Sequence, residues 1–128
     1  MILHLTSTGK VDIFAGTRFA WGKFSGDGGA ATAAMLNWPT AVAWANASTP
    51  GGGAAGTLLI ADAFNGAIRS VDAATGIIST VAGVGCPQDQ GSLPFSPCNA
   101  GNRGAAGDAA VTAVLNSPTA IASNRAGM

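Results

Sequence analysis

The chain carries LNWPTAVA at 36–43 and LNSPTAIA at 115–122, and KVDIFAG at 10–16 is echoed by IISTVAG at 77–83. An internal repeat of this kind constrains the fold more than any single residue does. Each copy is one supersecondary unit that buries its apolar face only against its neighbours. Function then has to be sought on the faces and loops of the array, because repeat scaffolds serve many unrelated purposes.

One unit can be laid out strand by strand. From Thr40, TAVAWA alternates with the β period and runs into ASTPGGGAAG, a stretch of turn residues that cannot continue a strand. TLLIADA is a second strand. Phe64, Asn65 and Gly66 form a tight turn in which Asn and Gly accept left-handed backbone. AIRSVD is the third strand, AATG the next turn and IISTVAG the fourth strand. Four antiparallel strands in a meander of about 43 residues match the length of one propeller blade. ILHLTSTG followed by KVDIFAG repeats strands three and four, and TAIAS at 119–123 reads as the first strand of another unit. The expected fold is therefore all-β, a partial β-propeller. Residues 1–16 are half a blade, 17–39 a linker, 40–83 the complete blade, 84–118 a second linker with a cysteine-containing insert, and 119–128 the start of the next blade.

The 128 residues are 48% hydrophobic, with six basic residues balanced by six acidic ones. Lys10, Arg18, Lys23, Arg69, Arg103 and Arg125 are scattered, so neither the total nor any local stripe provides an electrostatic footprint for nucleic acid or an anionic membrane. No apolar run approaches the roughly 18–20 residues that a helix needs to cross a bilayer. MILHLTSTGK lacks the head, core and cleavage site of a signal peptide, and because residue 1 falls inside a repeat unit, any targeting segment is expected upstream.

Chemistry-bearing residues are sparse. His4 is the single histidine, and its alternation with Leu3 and Leu5 places it on a strand in a structural or solvent-facing role. Cys86 and Cys98 lack the paired short spacing of a zinc site. They flank a Pro- and Gly-rich insert, where a disulfide is expected and two free thiols are the alternative. Asp27 in GDGG and Asp108 in GDAA are conceivable calcium ligands, although the glycines around them are explained by turns. Asp62 and Arg69 flank the turn between strands two and three and read as a structural ion pair across the hairpin. GVG and GDGG are not phosphate loops, since no Gly-Lys-Ser/Thr follows. Asn46 opens a glycosylation sequon, Asn46-Ala47-Ser48, which with a disulfide favours an extracellular or cell-surface setting. No residue set calls for a cofactor.

In an antiparallel meander, the turn between strands two and three shares a face with the linkers between blades. That face would carry Trp21, Phe24, Trp38 and Phe95 beside Phe64 and Asn65, and it is the candidate interaction surface. The competing use for Phe24 and Trp38 is to pack the linker onto the blade.

TLLIADAFNGAIRSVDAATGIISTVAG, with the linker GDGGAATAAMLNWPTAVA and its echo GDAAVTAVLNSPTAIA, resembles the NHL-repeat family of β-propellers, most closely the teneurin-type NHL domain. The Asn-His-Leu triplet that names the family reads Asn65-Gly66-Ala67 here, and the half blade has Leu3 where the complete blade has Arg69. The resemblance implies a closed ring, commonly of six blades. The chain holds about seven strands against the four to eight blades of four strands that a ring needs. It therefore reads as a fragment of a longer array or as a chain that assembles with other blades. The function implied is a non-catalytic interaction scaffold for a protein or glycan partner. The alternative is a segment of a propeller enzyme, of lyase or lactonase type, whose active site lies outside this chain; the innermost strands AVAWA and AIAS carry no His, Asp or Glu.

Overall fold

The computed structural model describes residues 1–18, 23–45, 55–85 and 109–123. Its regular structure is all-β, with three single 3-10 turns, and among the described residues no helix is long and apolar enough to cross a membrane. Strands β1 (Ile2–Leu5) and β2 (Val11–Ala15) form an antiparallel pair. Strands β3 (Pro39–Ala45), β4 (Thr57–Asp62), β5 (Ala67–Asp72) and β6 (Ile78–Ala82) form a four-stranded antiparallel sheet in chain order. The 3-10 turns span Ala31–Ala33, Ala63–Asn65 and Ala110–Thr112.

The repeat extends to register. In β1–β2, Ile2 faces Ala15 and Leu3 faces Ile13, with a bulge between the two pairs. In β5–β6, Ile68 faces Ala82 and Arg69 faces Thr80, with a bulge at the same place. Both strand pairs then meet a linker turn in the same way. The Gly16 N–H donates to the Ala31 carbonyl at 2.8 Å, and the Gly83 N–H donates to the Ala110 carbonyl at 2.9 Å. Both linkers end in Asn-X-Pro with X in the left-handed region, Trp38 at φ 51° and Ser117 at φ 47°, a conformation uncommon outside glycine.

The first linker lies on the complete sheet. Its residues cap the outer edge of β6: Gly28 N–H reaches Ile78 O at 2.8 Å, Ile78 N–H reaches Gly29 O at 3.0 Å and Ala31 N–H reaches Gly76 O at 2.8 Å. Covering an edge in this way hides a row of unpaired backbone groups. Beneath, Ala31, Ala34 and Leu36 join Leu58, Ile60, Val71 and Ile78 in one core, which Ala15, Phe14 and Ile2 of the β1–β2 pair complete. Full burial of each large aliphatic side chain contributes about 1.5–3 kcal/mol. β4 and β5 are buried at nearly every position, whereas β3 alternates and exposes Val42 and Trp44.

The structure corrects one expected strand. Residues 119–123 are not in a strand; the segment lies beside β3, where Thr40 Oγ1 donates to Pro118 O at 3.0 Å and Ser123 Oγ donates to Trp44 O. A strand needs a ladder partner, and no described residue supplies the second strand of that unit. Cys86, Cys98, Trp21, Phe95, Asn46 and Asp108 lie outside the described residues.

Candidate interaction site

Four buried polar residues, Asn37, Asp62, Asn65 and Arg69, converge where the first linker crosses the end of β4 and the start of β5. Arg69 stands on β5 among apolar neighbours and is fully buried. A buried guanidinium has to find acceptors for its donors, and most come from the linker. Arg69 Nη2 reaches Asp27 Oδ1 at 2.6 Å and Ser25 O at 3.1 Å, and Nη1 stands 3.4 Å from Asp62 Oδ2. The ring of Phe24 lies 4.5 Å from the guanidinium carbon, in cation–π contact.

Asp62, at the end of β4, is equally buried and accepts on both oxygens. Oδ1 takes the Asn37 N–H at 2.7 Å and Oδ2 takes the Asn65 side-chain amide at 2.8 Å. That amide also donates to Lys23 O at 3.0 Å. Burial pushes the Asp62 carboxyl up to about 6, against the lowering effects of Asn65, the Asn37 N–H and Arg69. Burial outweighs these three because both carboxyl oxygens lie in a fully buried side chain. The chain amino group feels the reverse balance: burial lowers its pKa and attraction to Asp62 opposes that. Three buried polar atoms of this region, Asn65 Oδ1, Arg69 Nε and Thr80 Oγ1, have no partner.

Five sequence-identified residues, Phe24, Asp27, Asp62, Asn65 and Arg69, are thus committed to a clasp that fastens linker to sheet. Asp62 and Arg69 are its ion pair, but Asp27 is the closer partner of Arg69. Asn65 faces inward, fully buried, and presents nothing to solvent. Phe24 is half-buried over Arg69 and closes tightly on Gly85, where a Cβ would come within 2.7 Å of its ring. Among the described residues, no group of three or more His, Cys, Asp or Glu side chains gathers as a metal site. His4 is exposed and meets Phe14 edge-on, ring centres 5.4 Å apart.

Among the described residues of the predicted face, Trp38 with Phe64 remains accessible. Trp38 is 57% exposed and stacks on half-buried Phe64, ring centres 5.5 Å apart and planes 15° from parallel. The Phe64 N–H donates to Asn37 O at 3.1 Å, so the linker end and the β4–β5 turn are locked together beneath the pair. The repeat offers an internal control, for the counterpart of Trp38 is Ser117 in the same backbone conformation. The turn therefore does not require an indole there. Sequence reasoning left Trp38 between packing and recognition, and the structure shows it both stacked on Phe64 and exposed. The chain matches no family model and no curated protein sequence.

Proposed function

We propose that the chain is a segment of an NHL-type β-propeller acting as a non-catalytic interaction scaffold, with a protein or glycan partner meeting the face that carries Trp38 and Phe64. Support for the propeller reading comes from the four-stranded meander in chain order, the register and bulge repeated in β1–β2, and a first linker that leads from β2 to β3 along the edge of β6. The recognition reading is carried by one observation: an exposed indole, held rigid by a stack on Phe64, at a position where the fold is content with serine. Rigid aromatic side chains present large contact area at low entropic cost, and both protein hot spots and sugar rings use such platforms.

The test compares wild type with Trp38→Ser on arrays of oligosaccharides and of extracellular protein domains, after circular dichroism has shown that the sheet is intact. Binding seen with wild type should weaken by at least about tenfold in the variant, as expected for an aromatic anchor. Specific binding that survives Trp38→Ser undiminished would place recognition elsewhere.

A further inference from the structure

The turn between β4 and β5 contains the one Asn-Gly step in the sequence, Asn65-Gly66. Glycine has no Cβ to shield its nitrogen, so this is the dipeptide in which an asparagine amide is lost most readily. The Gly66 nitrogen attacks Asn65 Cγ, a C–N bond forms, and the side-chain nitrogen departs as ammonia with the Gly66 proton. One water then opens the cyclic imide at either carbonyl, leaving aspartate or isoaspartate at position 65.

The folded chain keeps the reacting atoms from this chemistry. Asn65 ends the 3-10 turn Ala63–Asn65, and the Gly66 N–H that must give up its proton donates it to Ala63 O at 3.0 Å. The leaving nitrogen is engaged twice, by Asp62 Oδ2 at 2.8 Å and by Lys23 O at 3.0 Å. Asn65 is also fully buried, which closes its Cγ to bulk water. Lys23 belongs to the first linker, so this protection lasts only while the linker stays seated on the sheet. The seat is the clasp: Arg69 holds Ser25 O and Asp27, and Phe24 covers the guanidinium.

The product does not fit where the amide was. A carboxylate at position 65 turns an oxygen, in place of the donor, towards Asp62 Oδ2 and the Lys23 carbonyl. Its other oxygen takes the place of Asn65 Oδ1, which has no partner. A buried charge without a donor, beside a second carboxylate, is costly enough to force the site open. We propose that Asn65-Gly66 is a guarded deamidation site, reached when the first linker lifts, and that conversion to the acid makes the lifting permanent.

The test incubates the full chain at low concentration in mildly alkaline buffer and follows position 65 by peptide mapping with mass spectrometry. Wild type should convert readily in concentrated urea. In its native state it should convert at least about tenfold more slowly, since every tenfold fall in the open population takes only about 1.4 kcal/mol. Arg69→Leu removes the centre of the clasp and should speed native conversion by about tenfold or more, with circular dichroism showing the sheet intact. Asp27→Ala, which loosens the clasp from its exposed side, should speed it as well. Gly9→Ala lies in the β1–β2 turn, away from the linker, and should convert at the wild-type rate. Asn65→Asp installs one product directly and should lose hydrogen-exchange protection at the Gly28 and Ala31 amides, which bind the linker to β6. Native wild type that converts as fast as in urea, clasp variants no faster than wild type, Gly9→Ala as fast as Arg69→Leu, or full protection of those amides in Asn65→Asp would each overturn the proposal.

Discussion

Replacing Arg69 by leucine, the residue that the repeat itself carries at Leu3, keeps an apolar side chain that fits a β5 position and removes only the polar clasp. The change deletes the 2.6 Å pair with Asp27, the bond to Ser25 O, the contact with Asp62 and the stack of Phe24 on the guanidinium. Asp27 is 44% exposed and returns to water at little cost. Asp62 cannot, being fully buried, and keeps only the Asn37 N–H and the Asn65 amide. Removing one partner of a buried pair costs about 3–5 kcal/mol when the other stays charged; with two donors left, about 3 kcal/mol is expected at pH 8. The loss should depend on pH. Asp62 in the folded wild type sits at about 6, above its ordinary 3.8, so the folded form holds the proton more tightly than the unfolded chain. Its burial cost is therefore present in full above pH 6 and relieved as pH falls from about 6 towards 4. Without the guanidinium the carboxyl rises further, relief starts at higher pH, and the gap between variant and wild type should narrow from pH 8 to pH 5. Each unit by which the carboxyl rises corresponds to about 1.4 kcal/mol. Urea unfolding followed by tryptophan fluorescence, at protein concentrations too low for association, measures the gap. Hydrogen exchange at the Gly28 and Ala31 amides reports whether the linker has come loose from β6. A gap that is constant across pH, or smaller than about 1 kcal/mol at pH 8, would refute the reasoning.

Gly83→Ala should cost about 3 kcal/mol or more, since φ is 87° and a Cβ would lie 2.2 Å from the Gly66 carbonyl oxygen. Gly9→Ala, at φ 76° with nothing within 4 Å, should cost only about 1–2 kcal/mol, and equal losses in the two melting curves would contradict the packing account. Cys86 and Cys98 are expected to be joined in protein from its native source, closing the insert and contributing about 2–4 kcal/mol. Thiol labelling should then succeed only after reduction, and full labelling beforehand would remove the argument for an oxidising, extracellular setting.

The elements legible in the sequence are those written in local pattern. Alternation in TAVAWA located β3 to within a residue of its start at Pro39, and the turn residues Phe64, Asn65 and Gly66 marked the β4–β5 connection, where Gly66 does adopt left-handed backbone at φ 58°. What stayed hidden depends on contacts distant along the chain. Asp27 meets Arg69 across 42 residues, and nothing in GDGG distinguishes an ion-pair partner from a turn former or a calcium ligand. Asn65 was legible as a turn residue but not as a buried one, because its inward direction is set by Lys23 and Asp62. The TAIAS segment failed as a strand for a related reason: period-2 alternation states what a segment can pair as, and pairing needs a partner that no described residue provides. A signal for the clasp was nonetheless present. An arginine where the repeat tolerates leucine needs counter-charge, and the neighbouring strand offers only Asp62, at 3.4 Å and already engaged by the Asn37 N–H and the Asn65 amide. The linker that covers that unit brings one aspartate, Asp27, and it supplies the closer partner at 2.6 Å. Arg69 and Asp27 are therefore best understood as one joint between sheet and linker, legible only once the linker is seen to lie along the edge of the unit that follows it.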